Sequence, residues 1–307
     1  MTTPNTAYVE PMVVRKPANL WRDAGIRFSR NRLAMGAAVV VLLFILMAIF
    51  ADVIAPTAYD YSNLAKSRRF PNAENLLGTD SVGRDQLSRL IYGARVSLTI
   101  GLAVQIIAVI VGVTLGSAAG FLGGWTDTII MGIIEVFTAI PQLLFALFLL
   151  SIWGGGLFNL ILALGLISWI EMCRLTRAQI LSLREKEYIE AARAIGVTNT
   201  SIAWRHLLPN ALSPLIISFT LGIPATMFAE AGLSFLGIGI NDPIPSWGKM
   251  AGQSSSFIEV YWHLGLFPTL MIALMILIRH TRLRSLSCER YQQVVSHFVV
   301  SFATETS

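Results

Sequence analysis

The sequence is poor in charged residues and in cysteine. Only 13% of its 307 residues are charged, about half of the roughly 25% that is usual in soluble globular domains. Its two cysteines, Cys173 and Cys288, lie far apart and indicate neither a disulfide framework nor a zinc site. Hydrophobic residues make up 54% of the chain, and the mean hydropathy is +0.64. These values argue against an ordinary soluble enzyme and indicate an integral membrane protein.

Two further absences limit the possible functions. The only Gly-Lys pair, Gly248-Lys249, is followed by methionine, so the sequence contains no Gly-x-x-x-x-Gly-Lys-Ser/Thr phosphate loop. His206 and His263 have no second metal ligand nearby in sequence. The net charge of +5 would suit nucleic acid, but the basic residues cluster at the ends of apolar runs, where they set membrane orientation. We therefore expect no bound cofactor, no metal and no nucleic acid.

Six apolar runs are candidates for membrane spans. A helix needs about 20 residues to cross a hydrocarbon core of about 30 Å. The first run follows a polar arm that is too long for a cleavable signal peptide, and the fourth and sixth runs are short. The expected spans are residues 33–50, 96–119, 129–152, 157–170, 214–236 and 264–278. The sequence thus predicts an all-α membrane protein with about six transmembrane helices.

The polar segments give the expected organisation of the chain. They predict an N-terminal arm at 1–32 with a possible surface helix, a first span at 33–50, an extracytoplasmic loop at 51–95, a core at 96–280 with a polar loop at 171–210, and a tail at 281–307. Most of the 23 Lys and Arg residues lie in the arm, the 171–210 loop and the tail. Because basic segments stay in the cytoplasm, these three segments are predicted to be cytoplasmic.

The 171–210 loop carries the pattern of a short helix. Ser182 and Glu185 match a capping box, and Gly196 suits the end of a helix, which predicts a helix over 183–195 followed by a second one that Pro209 would end or kink. The small Ala191 would let another surface approach closely. Two interpretations remain open, a helix that docks into a partner's groove and a helix that packs on its own protein. The residues predicted to share one face are Tyr188, Ile189, Ala192 and Ile195.

Two acidic residues and two prolines stand within apolar runs. Glu135 and Glu230 are functional candidates because ionisable groups in a membrane are costly; the alternative is that each hydrogen-bonds to a neighbouring span. Pro141 and Pro224 would kink their helices, either to open and close a central path or to improve static packing. These four residues are the candidates for the translocation path or its gate.

A charged pattern precedes the second span. Asp80, Arg84, Asp85 and Arg89 are spaced to lie along one side of a helix that enters this span. They would form an ion-pair cluster that shapes the outer mouth, or receive a protein from outside.

Several motifs resemble those of bacterial ABC-importer permeases. Glu190-Ala191-Ala192, Gly196 and Leu208-Pro209 are similar to the family's EAA loop, which forms a coupling helix in a cleft of the cytoplasmic ATPase. This resemblance implies a type I ABC importer permease fold and an ATPase-coupling loop. The coupling residues it implies are Glu187, Tyr188, Glu190, Ala191, Ala192, Gly196, Leu208 and Pro209.

A second match narrows the branch of the family. Residues 77–98 resemble the segment before the second span in the C-type subunit of dipeptide, oligopeptide and nickel permeases, and 123–127, 230–237 and 245–248 match as well. The matches extend over residues 20–270. The chain departs from the family at Gly132, where a basic residue is common, and after about Leu274. The outer-mouth motif consists of Gly78, Asp80, Gly83, Arg84 and Asp85.

The resemblance implies a transport subunit without its own nucleotide site. It implies import of di- or oligopeptides delivered by an extracytoplasmic binding protein, through a heterodimer with a homologous permease. Two partner ATPases would use ATP and magnesium, and the chain would lie in a bacterial or archaeal plasma membrane with its N-terminus in the cytoplasm. The alternatives are nickel or glutathione as cargo, an ion-coupled secondary transporter, and an intramembrane enzyme using Glu135 or Glu230.

Overall fold

The computed structural model describes residues 32–277, and this range consists of helices joined by loops, without a β-strand. The predicted surface helix of the N-terminal arm and the divergent tail lie outside these residues. Short 3-10 turns lie at Leu64–Lys66 and Ser255–Phe257, and a π-turn at Ala203–Leu207. The helices are α1 (Arg32–Ile49), α2 (Ala51–Ile54), α3 (Gln86–Leu122), α4 (Gly124–Thr138), α5 (Gln142–Trp153), α6 (Leu157–Arg184), α7 (Glu187–Ala194), α8 (Asn199–Ile202), α9 (Leu208–Phe235), α10 (Trp247–Ser254) and α11 (Trp262–Leu277).

All six predicted apolar runs are helical, but they differ in how they could cross a membrane. Within the described range, α3, α6 and α9 are each long and apolar enough to span it alone. The third predicted span is a pair, α4 and α5, bent by 83° at the break before Pro141. α1 and α11 contain shorter apolar helices. The predicted all-helical membrane fold is therefore confirmed, with a sharp bend within the third predicted span.

The core of the fold is a close contact between α3 and α6. A Cβ added to Gly112 would lie 2.7 Å from the Cβ of Met172, and one added to Gly116 would lie 2.5 Å from the carbonyl oxygen of Cys173. Gly120 continues this row one turn further along α3. Small residues at every fourth position let two membrane helices approach closely, and here they hold α3 against α6 along the C-terminal half of α3.

α3 begins at Gln86, well before the predicted start of the second span at residue 96. Its first turns are covered by protein: Arg89 is 1% exposed, and Trp247 Nε1 donates to the carbonyl oxygen of Leu90 at 3.0 Å. Hydropathy underestimates the length of such a helix because the polar residues of its first turns contact protein rather than lipid. Asp85 is the N-cap residue, so the prediction that Asp80, Arg84, Asp85 and Arg89 share one helix is wrong.

The helices of the 171–210 segment also differ from the prediction. α6 continues through the predicted capping box to Arg184, with Glu185 as its C-cap residue, and α7 begins only at Glu187. The capping-box prediction is wrong because tertiary contacts extend α6: Ile180 is buried against α3. Pro209 does not end a helix but lies in the first turn of α9, where proline is well tolerated.

Candidate functional site

The outer-mouth motif forms a turn that starts α3. Gly78 and Gly83 have φ values of +80° and +78°, and a Cβ on Gly83 would lie 1.8 Å from the carbonyl oxygen of Asn63, so glycine is required there. Asp80 accepts hydrogen bonds from Arg84 N at 2.9 Å and from Arg84 Nε at 2.6 Å. Asp85 accepts from the backbone N of Ser88 at 2.8 Å. The motif thus fixes the entry of α3.

A cluster of charged side chains connects this turn with the loop before α10 through ion pairs. Asp242 Oδ1 lies 3.1 Å from Lys249 Nζ and 3.5 Å from Arg84 Nη1, and Arg89 Nε lies 3.6 Å from Asp80 Oδ2. Burial raises the pKa of Asp242, but the Lys249 hydrogen bond and the surrounding cations leave it below its ordinary value. Burial lowers the pKa of Lys249 more than Asp242 raises it. The geometry favours the predicted ion-pair cluster, which lies at the start of α3.

Glu230 connects α9 to α10. It is 1% exposed and accepts hydrogen bonds from Ser234 Oγ and Ser246 Oγ, both at 2.7 Å. Ser246 caps α10 and in turn accepts from Lys249 N at 3.1 Å. A Cβ on Gly248 would lie 2.2 Å from the Cα of Ala231, so the two helices are in backbone contact. Glu230 therefore joins the C-terminal part of α9 to α10 and does not line the central groove.

A cavity of about 760 Å³ lies between α3, α5, α6 and α9, and we call it the central groove. Along α9 it extends from Leu233 to Pro214, which is about 28 Å at a rise of 1.5 Å per residue. Its lining residues are Gln105, Gln142, Leu143, Ala146, Leu164, Ile167, Ser168, Glu171, Met172, Leu175, Pro214, Ile217, Ser218, Leu221, Gly222, Ala225, Thr226, Phe228, Ala229 and Leu233. A groove of this length is comparable with the thickness of a hydrocarbon core, about 30 Å.

A buried polar contact fixes one wall of the groove. Gln105 Nε2 donates to Thr226 Oγ1 at 2.9 Å, joining α3 to α9. A Cβ on Gly222 would lie 2.2 Å from Gln105 Oε1, so the glycine makes room for the amide. Sequence reasoning missed this wall because Gln105 and Thr226 are single polar residues in apolar runs, and only the packing of α3 on α9 brings them together.

The structure places the other path candidates outside the central groove. Glu135 lines a separate cavity of about 490 Å³ between α4 and α6, together with Arg174 and an Asp127–Arg177 ion pair at 2.5 Å. Pro141 is the exposed N-cap of α5, at the bend. Pro224 lines an apolar groove of about 550 Å³ between α1, α3, α9 and α11. The four predicted residues, Glu230 included, therefore do not form one site.

The predicted coupling segment divides into a packed face and an exposed face. Ile189 and Ala192 are buried, in a cluster with Ile202 and Leu207. Tyr188 is 44% exposed. The predicted single face of Tyr188, Ile189, Ala192 and Ile195 is thus wrong, because two of its members turn inwards and two outwards.

The end of α7 forms a protruding tip. Gly196 has a φ of +81°, and the backbone N of Val197 donates to the carbonyl oxygen of Ala192 at 3.0 Å, which closes the helix in the way predicted from the glycine. Ile195, just before it, is 81% exposed. Tyr188 and Ile195 thus place two large apolar side chains among the charged residues of one exposed surface. The exposed residues of this surface are Glu187, Tyr188, Glu190, Ala191, Arg193, Ala194, Ile195 and Gly196.

A long groove between apolar helices, beside the exposed face of α7, is consistent with a membrane transport subunit, and comparison with known sequences identifies its family. The family described as "Binding-protein-dependent transport system inner membrane component" matches residues 112–281, and "N-terminal TM domain of oligopeptide transport permease C" matches residues 19–75. The chain belongs to this family of binding-protein-dependent ABC importer permeases of the inner membrane.

Several curated relatives are similar over most of their length. The oligopeptide transport system permease protein OppC of Bacillus subtilis is 38% identical over 83% of this chain and 84% of the relative. The dipeptide transport system permease protein DppC of Alkalihalophilus pseudofirmus is 39% identical over 84% of both chains. The glutathione transport system permease protein GsiD of Pectobacterium atrosepticum is 37% identical, covering 86% of this chain and 87% of the relative.

Solved structures share the fold. An inward-facing structure of the MetNI methionine ABC transporter covers 65% of this chain and 95% of its own, with a TM-score of 0.52 and 20% identity. An amino acid ABC transporter covers 66% of this chain and 94% of its own, with a TM-score of 0.51 and 18% identity. At these identities the likeness concerns the fold alone, and it agrees with the predicted ABC importer permease fold.

Proposed function

We propose that this chain is the membrane subunit through which an ATP-driven importer moves di- or oligopeptides into the cell. The observation that carries the proposal is the central groove, which follows α9 for about 28 Å and combines apolar walls with polar groups such as Gln105 and Thr226. Specific sites with apolar walls and a few convergent polar groups are typical of small-molecule binding. A peptide likewise has both apolar and polar groups, which suit such a groove.

The energy would come from ATPase subunits that act on α7. The support for this step is the protruding tip at Ile195, together with the exposed Tyr188 and Ala191. The opposite face of α7 packs against the cytoplasmic ends of α6 and α9, so a displacement of α7 would reach the helices that line the groove. We expect no nucleotide, magnesium or other cofactor to be bound by this chain itself.

The complete importer would contain two permeases. Several residues that line the central groove are exposed, including Leu143 and Phe228, and a homologous second permease would cover them and close the path. Two cytoplasmic ATPases and an extracytoplasmic binding protein complete the proposed assembly. The N-terminus would lie in the cytoplasm, on the same side as α7, because the Lys and Arg residues favour that side.

Peptide is the cargo we favour because the described groove is long enough for an extended backbone of several residues, at about 3.3 Å per residue. Glutathione and nickel are the alternatives among importers of this family. A secondary transporter driven by ions would also use a membrane groove, but it would give no role to the exposed face of α7.

The proposal is tested by reconstituting the chain with its second permease, both ATPases and the binding protein in liposomes. We expect uptake of radiolabelled peptide that requires ATP inside the liposomes, on the ATPase side, and that stops when the catalytic glutamate of the ATPases is replaced. A parallel measurement with glutathione and nickel decides between the cargos. Peptide uptake that continues without the ATPases would show a secondary transporter and refute the proposal.

A further inference from the structure

The central groove contains one charged side chain, Glu171. The sequence placed this residue in a cytoplasmic loop because it ends an apolar run, but α6 is continuous from Leu157 to Arg184. Glu171 lies about 21 Å along the helix from Leu157, at a rise of 1.5 Å per residue. Its side chain is exposed and lines the groove. Within a membrane helix, an ionisable residue that faces a cavity is a candidate for contact with the transported species.

The carboxylate of Glu171 has no protein partner in the described part of the chain: it makes neither a hydrogen bond nor an ion pair with residues 32–277. Glu230 provides the contrast, because both of its hydrogen bonds come from buried serines. The next basic residue on α6, Arg174, lines the separate cavity near Glu135 and donates to Thr138 Oγ1 at 3.3 Å. Glu171 is therefore available to a group that enters the groove.

The rest of the groove lining is uncharged. It carries no lysine, arginine or histidine, and its neutral polar residues are Gln105, Gln142, Ser168, Ser218 and Thr226. This chain thus contributes a single negative charge to the groove. Two unit charges 4 Å apart interact far more strongly at a protein surface than in bulk water, because the effective dielectric constant is about 20 rather than 80. A cationic group passing Glu171 gains that attraction, and an anionic group is repelled.

We propose that Glu171 is the cation-recognition point of the central groove and attracts the additional side-chain cation of a basic peptide as it passes. This inference rests on the proposed function, since it assigns a substrate preference to the same groove. It predicts that peptides with an additional positive charge pass more readily than peptides with an additional negative charge. Ser168, one turn further out on α6, places a hydroxyl on the same side of the path.

The test uses the complete importer in liposomes and measures one round of uptake from preloaded, saturated binding protein. The solutes are alanyl-lysine, alanyl-alanine and alanyl-glutamate, and preloading removes the binding protein's own preference from the comparison of variant with wild type. In Glu171→Gln we expect the ratio of alanyl-lysine to alanyl-glutamate uptake to fall about tenfold. Glu171→Asp keeps the charge and should retain most of the wild-type ratio. Glu259→Gln, the same change on the outer surface, should leave the ratio unchanged.

Two outcomes overturn the proposal. If Glu171→Gln lowers the uptake of all three dipeptides by the same factor, the carboxylate acts on the assembly, for example by pairing with a basic residue of the second permease. If Glu171→Gln leaves all three rates at the wild-type level, the carboxylate has no contact with the solute. A failure of the proposed function is distinct from both, because the wild-type importer would then show no ATP-dependent peptide uptake at all.

Discussion

Replacing Ala191 and Ala192 by leucine, one at a time, should separate two roles within one short helix. The two alanines are adjacent in sequence and face opposite ways: Ala191 is exposed, whereas Ala192 is 9% exposed and belongs to the cluster of Ile189, Ile202 and Leu207. Leucine is nearly as good a helix former as alanine. The two variants therefore differ mainly in where the added side chain must fit.

The expected magnitudes follow from these positions. Ala192→Leu inserts three carbon atoms into a packed cluster, which costs about 1–3 kcal/mol. Ala191→Leu changes an exposed position, where substitutions usually stay within about 0.5 kcal/mol. If an ATPase cleft contacts Ala191 closely, the same variant should weaken docking at least about tenfold, or about 1.4 kcal/mol.

The assays are co-purification of the ATPases with the permease and thermal unfolding in detergent. We expect Ala191→Leu to lose ATPase association and peptide uptake at an unchanged melting temperature, and Ala192→Leu to lower the melting temperature. Each variant is the size-matched control for the other. Wild-type association and uptake in Ala191→Leu would refute the assignment of the exposed face of α7 as the docking surface.

Three further predictions concern the packing and the outer face. Gly116→Leu should destabilise the fold by about 1–3 kcal/mol, because the added Cβ would lie 2.5 Å from the carbonyl oxygen of Cys173. Gly132→Leu should not destabilise it, because a Cβ there would have no neighbour within 4 Å. Equal melting temperatures for the two variants would contradict the described contact between α3 and α6. Glu230→Ala should cost about 1–3 kcal/mol because it leaves two buried hydroxyls without their acceptor, and an unchanged unfolding midpoint in denaturant would count against this contact. The pKa of Asp242 is lowered in the fold, so its stabilising pairing with Lys249 is present above its ordinary value of 3.8 and is lost as the pH falls through the lower folded value. The difference in melting temperature between wild type and Asp242→Asn should accordingly shrink below pH 3.8, and a difference that grows there would show the opposite linkage.

Hydropathy was sufficient to find the membrane helices but not their ends. The apolar runs predicted the helices at 33–50 and 214–236 to within a few residues of α1 and of the end of α9. The start of α3 and the end of α6 were missed because each lies beyond the apolar run of its helix. In these turns, contacts with protein rather than with lipid stabilise the helix. Arg89, buried at the outer end of α3, shows why a charged residue does not mark a helix boundary there.

The functional residues also divide into those that a local sequence signal predicts and those whose position depends on packing. Gly196 was predicted correctly as a helix end because a left-handed glycine is a local signal, which the residues around it determine. The exposure of Ala191 and the burial of Ala192 depend on the cluster formed with α6 and α9, and a periodicity over one short helix could not distinguish them. Glu171 was assigned to a loop because its place in the groove depends on three other helices. Sequence thus predicts local caps and apolar stretches, while the groove requires the packed structure.

The central claim, that peptides pass through the groove beside α9, is tested most directly by blocking it at one position. Ser218 lines the groove, and Ile216 on the same helix is exposed but lies outside it. In an importer whose Cys173 and Cys288 are replaced by alanine, a charged thiol reagent should abolish ATP-dependent peptide uptake in Ser218→Cys and leave it intact in Ile216→Cys. Uptake that survives full labelling of Ser218→Cys would show that peptides take another route.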